Sequence, residues 1–317
     1  MNKFVATLIL FAFSVLNADW VSISEKNEKF TLVHSDRNTT EIVFSLDGFE
    51  TETILEKGTE YTKITYPLPY GGSILETGQP DVPVFSTYIA IPHRAEIELS
   101  LEDPEYEYFS DQIVYPAQHP QIESKHEDFP FAIDPEIYMR SSYYPSELVY
   151  SKAPVILRDL QVVQIVIQPI RNNPVTGELE VLRSGTLKVV TFDNNSDYFL
   201  SSRSRAFEPF YRAMVLNYER ISNAREDDYQ APCYLIIYPD ILDPDEFEEL
   251  VEWKKEKGFE VHLASTEETG TSAALIRGYI EEAYETWDNP PEFVTLIGDA
   301  TGSYTIPTYS LSGGEGD

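Results

Sequence analysis

The stretch Cys233-Tyr234-Leu235-Ile236-Ile237-Tyr238 is apolar without a break, with no alternation toward a wet face. A strand of that kind belongs in a parallel sheet covered on both sides. Reading outward, Asp243 is placed to cap a helix, with Pro244 at its first position and acidic Asp245 and Glu246 in its first turn. Phe247, Leu250 and Val251 form its buried stripe, and Gly258 ends it. Phe259-Glu260-Val261-His262-Leu263 reads as the next strand. Thr271 or Ser272 then starts a second helix, with Leu275, Ile276, Tyr279, Ile280, Ala283 and Trp287 on one face. Pro290-Pro291 stops it, and Phe293-Val294-Thr295-Leu296-Ile297 is a third strand. Strand, helix, strand, helix, strand predicts a parallel α/β unit with right-handed crossovers. Three parallel strands leave an edge and part of a face uncovered, so this α/β domain reads as incomplete.

The residues before it follow a different pattern. From Asp19 to about Phe192 the chain reads as short strands rich in β-branched and aromatic residues, such as 42–46, 61–66, 85–91 and 96–101. Turn signals lie between them at Asp47-Gly48, Gly71-Gly72 and Gly78-Gln79-Pro80. Most of the 21 prolines fall in this half, which excludes long helices there. Residues 160–192 predict a three-strand meander, with turns at 172–177 and at Ser184-Gly185. The expected architecture is a mainly-β, sandwich-like or barrel-like first part followed by an incomplete parallel α/β part. The reading divides the chain into a signal peptide (1–18), a β-rich region (19–221), a polar linker (222–231) and the α/β part (232–317).

Composition limits the function. The chain has 317 residues, with 23 Lys and Arg against 54 Asp and Glu, a formal net charge of −31. That balance argues against nucleic acid or an anionic membrane as partner, because phosphate recognition needs clustered Lys and Arg. A hydrophobic content of 42% is too high for a disordered acidic tail. One cysteine excludes an internal disulfide framework and a Cys-rich zinc site. At the start, Lys3, the apolar run Phe4–Leu16 and the small Ala18 before Asp19 read as a secretory signal peptide. The run is shorter than the roughly 20 residues of a spanning helix, and no later segment reaches that length. The mature chain is therefore expected to be exported, with no membrane span after signal cleavage.

Candidate chemistry is sparse. The carboxyl ends of parallel strands are where such sheets place working residues, which singles out Asp240 and Asp299. Each has a plain alternative role as a cap for loop amides. Cys233 and His262 are the residue types of a nucleophile and its base. With the two strands in register, Cys233 is expected opposite Phe259, which puts His262 on the order of 10 Å further along at about 3.3 Å per residue. Cys233 also lies at the amino end of its strand, so it reads as a buried structural thiol. His34, His93, His119 and His126 have no metal-site spacing. Asp193, Asn195 and Asp197 begin like a calcium loop, which fails at Tyr198 and Ser204. The first strand-to-helix connection has no glycine, so a dinucleotide would lack its phosphate cradle.

Several segments, in order, resemble the gingipain family of secreted cysteine endopeptidases. Gly78-Gln79-Pro80-Asp81-Val82-Pro83 with Tyr88–Pro92, then 168–179, then Phe207-Glu208-Pro209-Phe210-Tyr211 with Val215-Leu216-Asn217-Tyr218, are similar to that family's propeptide. Tyr234–Ile237, Trp253-Lys254 with Gly258, and Pro290–Ala300 are similar to the start of its peptidase domain. The resemblance implies a caspase-like, three-layer α/β fold for that domain and peptide-bond hydrolysis as the reaction. It implies protein or peptide substrates, calcium as a possible cofactor, and the chain's own downstream catalytic domain as a partner. The family's catalytic His lies in a Gly-His-Gly segment and its nucleophilic Cys further downstream. Neither segment occurs here, since no His follows His262 and no Cys follows Cys233, so no catalytic role is assigned to any position.

On this reading the chain is the signal peptide, propeptide and first part of a zymogen's peptidase domain, secreted or held at the cell surface. The β-rich part would cover the strand ends of the α/β part until a linker is cut, and Arg225 before Glu226-Asp227-Asp228 is the candidate processing site. The competing reading is a non-catalytic exported binding or surface protein with a degenerate α/β domain.

Overall fold

The computed structural model describes residues 18–25, 28–67, 72–73, 76–120, 129–192, 196–199, 203–222 and 229–309. The chain forms two compact units. One holds the residues up to Leu157 together with Gln161–Tyr198, and the other holds Arg158–Leu160 with the residues from Phe199 on.

The first unit is built from strands β1 (Asp19–Ser22), β2 (Phe30–Ser35), β3 (Thr39–Ser45), β4 (Gly48–Glu56), β5 (Thr59–Thr65), β6 (Gly72–Ser73), β7 (Pro83–Ala90) and β8 (Glu96–Phe109). A short helix α1 (Pro135–Tyr138) follows, then β9 (Val149–Ser151), β10 (Val155–Leu157), β11 (Leu160–Ile167), β12 (Ile170–Asn173) and β13 (Glu178–Phe192). They make three sheets: β1-β4-β5, β10-β11-β7-β6 with β9 also on β11, and β12-β13-β3-β2 with β8 also on β13. The mainly-β expectation holds. The two larger sheets meet through apolar side chains that alternate along their strands, as in a half-buried sheet. Phe44 of β3 is fully buried, with ring centroids 5.6 Å from Phe30 and 5.9 Å from Phe85 of β7. Where the chain crosses from β3 to β4, the Tyr66 hydroxyl donates to both Asp47 carboxylate oxygens at 3.0 Å. Lys29 pairs with the same carboxylate and lies 4.7 Å from the centre of the Tyr66 ring.

The expected 160–192 meander is corrected. β11 lies in one sheet, whereas β12 and β13 form a hairpin in another, because Gln168-Pro169 carries the chain between sheets. The turn at 172–177 is real: Gly177 N–H donates to the Asn173 carbonyl at 2.9 Å, and Gly177 sits at φ +68°. Ser184-Gly185 is not a turn. It lies inside the continuous β13, where the pairing with β8 shifts register on both sides of Ser184. A small residue at a bulge lets a long strand bend while it stays paired. β8 pairs only with β13 among the described strands, and it carries Glu96, Glu98, Glu102, Asp103, Glu105 and Glu107 with Pro104. Charges and a proline along such a margin discourage edge-to-edge association.

The second unit contains helices α2 (Glu208–Met214) and α3 (Tyr218–Ile221), then β14 (Cys233–Tyr238) and a single 3₁₀ turn, Pro244–Phe247. α4 (Glu248–Glu256), β15 (Glu260–Ser265), α5 (Thr266–Thr269), α6 (Ala273–Thr286) and β16 (Phe293–Leu296) complete it. The predicted alternation is present. Asp243 accepts a hydrogen bond from Asp245 N–H at 3.1 Å, and Ser272 caps α6. The sheet order is β15-β14-β16, all parallel. Tyr234 and Ile236 of β14 pack on Val251 of α4, whereas Leu235 and Ile237 pack on Ile276 of α6 with Ala264 and Ile306. Helices thus cover β14 on both faces, as its unbroken apolar sequence requires. Leu275, expected on the buried face of α6, is instead 57% exposed. Helices α2, α3 and α5 had no sequence signal, being one or two turns long.

Truncating Phe44 to Ala is expected to destabilise the first unit by about 3–5 kcal/mol, read as a lower urea midpoint. Gly298 has φ +151°, and a Cβ there would stand 2.6 Å from the Tyr304 carbonyl oxygen. Gly298→Ala is therefore expected to displace the loop that follows β16 at a cost of about 1–3 kcal/mol, seen as faster proteolytic nicking between residues 299 and 306.

Candidate functional site

The order β15-β14-β16 places a topological switch between β14 and β16, because the chain leaves β14 for one neighbour and later crosses to the other. Ligands of such sheets bind outside the carboxyl ends of the strands at that switch. Asp240 follows β14 and Asp299 follows β16, so the topology brings both sequence candidates to the same end of adjacent strands.

Their local roles differ. Asp240 forms a reciprocal pair with Thr266, the first residue of α5. Its N–H donates to Thr266 Oγ1 at 2.9 Å, and the Thr266 hydroxyl donates to Asp240 Oδ1 at 3.1 Å. That pair ties the exit of β14 to the exit of β15. Thr266 was missed in the sequence, and its only signal there was its position just past a strand end. Asp299 organises the loop after β16. Its N–H donates to the Tyr304 carbonyl, its carbonyl accepts from Ile306 N–H at 2.9 Å, and its carboxylate accepts from Ala300 N–H at 3.2 Å. Both aspartates are exposed; one carboxylate oxygen of Asp240 is taken by Thr266 across the strand ends, and one of Asp299 by its own loop. The arrangement can orient a ligand or a neighbouring group. It contains no nucleophile.

Cys233 and His262 do not form a pair. Cys233 lies opposite Glu260, not Phe259, and His262 lies opposite Leu235. The one-residue difference arises because Glu260 N–H donates to the Pro232 carbonyl, which starts the ladder one position later. The Cys233 thiol is fully buried, and burial, helped by Glu260 and Glu292, pushes it up to about 11. A thiol so shielded is inert. The His262 ring lies tilted against Trp287, 4.6 Å between ring centroids, and pairs with Glu260 at 3.2 Å.

The other histidines are dispersed. His34 pairs with Asp36, His93 is half-buried, the His119 ring lies 4.8 Å from that of Phe129, and His126 lies outside the described residues. Among the described residues no group of three or more His, Cys, Asp or Glu side chains is placed to hold a metal ion. Arg203 lies 4.0 Å from the Phe199 ring centre and Arg205 lies 4.5 Å from that of Tyr229. Arg220 is exposed, and Arg225 lies outside the described residues.

Comparison with known proteins adds the context that this geometry lacks. The family model Propeptide_C25 matches residues 23–224, and Peptidase family C25 matches residues 227–316. Gingipain R2 of Porphyromonas gingivalis strain W83 is 22% identical over 283 residues, covering 86% of this chain and 38% of that protein. Gingipain R1 of P. gingivalis strain ATCC 33277 is 24% identical over 311 residues, covering 94% of this chain and 18% of that protein. The chain thus spans well under half the length of these relatives. Among solved structures, a chain from the complex of P. gingivalis RgpB pro- and mature domains aligns with a TM-score of 0.54 at 19% identity. That alignment covers 61% of this chain and all of the other, a likeness of fold. The propeptide match alone spans more than half of the sequence, and the chain belongs to the C25 family of gingipain-like proteins, as its propeptide followed by the beginning of its peptidase domain.

Proposed function

We propose that this chain is the N-terminal portion of a secreted gingipain-like cysteine endopeptidase zymogen, whose propeptide covers the peptidase domain until processing. The observation that carries this reading is the outer edge of β16. The strand pairs only with β14 among the described strands, and Val294 and Leu296, on the α6 side of the sheet, are 37% and 46% exposed. An apolar parallel strand with one bare edge is a template for a further strand and its covering helix. In the family, the segments beyond this point bring the histidine and the cysteine. Asp240 and Asp299 then line the working end of the sheet as groups that shape the site, while the bond-breaking residues come from further along the polypeptide. The substrates are proteins or peptides, and the propeptide's partner is the peptidase domain of its own chain.

The boundary between the two family matches, at residues 224–227, falls inside the polar stretch 222–231. This supports processing there, with Arg225 as the candidate. Export rests on the leader pattern in residues 1–18. Among the described residues no helix is long and apolar enough to cross a membrane.

In the gene product that extends past Asp317, peptide hydrolysis is expected and is abolished by a thiol alkylator. Cys233→Ser leaves the rate unchanged, because the shielded thiol takes no part. A product without thiol-sensitive hydrolysis favours the exported binding protein instead. N-terminal sequencing of secreted material is expected to find a mature start within 222–231, and a start far from Arg225 removes that residue from consideration.

A further inference from the structure

The second unit holds a buried polar cluster at the end of the sheet opposite Asp240 and Asp299. It gathers three parts of the chain: the turn Arg158–Leu160, the segment 204–214, and the amino ends of β14 and β16. The first two lie within the propeptide match, and the strand ends lie within the peptidase match.

The turn is held by several contacts. Arg158 has φ +59°, and its guanidinium pairs with Asp159 at 2.9 Å; their side chains are 5% and 0% exposed. Arg158 Nη2 donates to Gln230 Oε1 at 2.7 Å, and Gln230 Nε2 donates to the Pro290 carbonyl at 2.8 Å. The Tyr284 hydroxyl of α6 donates to the Arg158 carbonyl at 2.9 Å, and the Tyr211 hydroxyl of α2 donates to Asp159. Phe207 lies 5.5 Å from the guanidinium and stacks on Phe293 at the start of β16.

Glu292 completes the cluster. It is 7% exposed, the buried Ser204 hydroxyl lies beside its carboxylate, and Arg158 and Asp159 are both within electrostatic reach of it. Two buried carboxylates therefore share the neighbourhood of one guanidinium. The other titratable groups facing them are the thiol of Cys233, the phenol of Tyr211, and Glu260 across from Cys233. Glu208 of α2 is occupied separately by the hydroxyls of Tyr218 and Tyr229.

We propose that Arg158, Asp159 and Glu292 form a pH-responsive latch, which fastens propeptide chain to the amino ends of the peptidase-domain strands and loosens as pH rises. Its meaning for a zymogen rests on the function proposed above, but the latch itself is a property of this chain. When one carboxyl carries a proton, the single guanidinium balances the other. When both ionise, an uncompensated negative charge is left away from water, and separating the segments hydrates it. Burial holds both carboxyls above the usual carboxylate range. The folded state thus keeps its protons to higher pH than the unfolded chain does. Their contribution to stability is largest in acid and is lost as pH rises through the raised values. The latch sits at the amino ends of the strands, so anchoring the propeptide and covering the working end are physically separate tasks.

The test compares this chain with Glu292→Gln across a series from about pH 5 to about pH 8.5. The midpoint of thermal unfolding of the variant is expected to match wild type at the acid end and to exceed it by about 2–4 °C at the alkaline end. In wild type, amide exchange at 158–160 and 204–214 accelerates with pH beyond the chemical rate, and in the variant it does not. A pH-independent difference in midpoint, or wild-type exchange that follows the chemical rate alone, overturns the latch. The exchange profile of wild type decides the matter if the variant does not fold. Absence of thiol-sensitive hydrolysis in the extended gene product would remove the zymogen reading and leave the latch measurement intact.

Discussion

Burial of β14 on both faces and along both edges is the constraint on which the α/β unit depends. Cys233–Ile237 are all buried, which removes most of the apolar surface of five successive residues from water. Each fully buried large side chain contributes about 1.5–3 kcal/mol, so the strand holds its place only if helices lie on both sides. α4 and α6 supply those faces, and β15 and β16 supply the hydrogen-bonding edges. The same burial silences the only thiol. At the carboxyl ends of the strands lie Asp240 and Asp299, both exposed. The amino ends are occupied by a different piece of chain.

That second piece shows why family boundaries and compact units need not coincide. The propeptide match runs to residue 224, yet residues from Phe199 on and the turn 158–160 pack in the unit that holds the parallel sheet. Tyr211 and Tyr218, both fully buried with rings 5.4 Å apart, are the anchors of that segment. Packing follows the nearest apolar and polar complement. A family boundary follows the sequence pattern instead, so the two divide the chain in different places.

Local signals made much of the fold legible. β14, the Gly258 stop and the Ser272 cap rest on residue type and short spacing and are found where the sequence placed them, whereas Asp243-Pro244 opens a 3₁₀ turn ahead of α4, and α6 ends at Thr286, ahead of Pro290-Pro291. The strands at 42–46, 61–66 and 85–91 were legible for the same reason. The 160–192 meander was misread because a strand that switches sheets and a strand that bends at a bulge carry the same small and turn-favouring residues as a hairpin. Of the site, the positions of Asp240 and Asp299 could be read from strand ends. Thr266 could not, since its partner lies 26 residues away.

The sequence by itself determined the class of each half, the polarity of the parallel sheet and the family, because all three depend on local periodicity and on motifs kept in order. Only the tertiary structure decided which strands share a sheet, the register that separates Cys233 from His262, and the gathering of Arg158, Asp159, Tyr211 and Glu292. Those depend on contacts between residues many tens of positions apart. Such contacts are selected by mutual burial and the pairing of desolvated polar groups, and leave no spacing in the chain that could announce them.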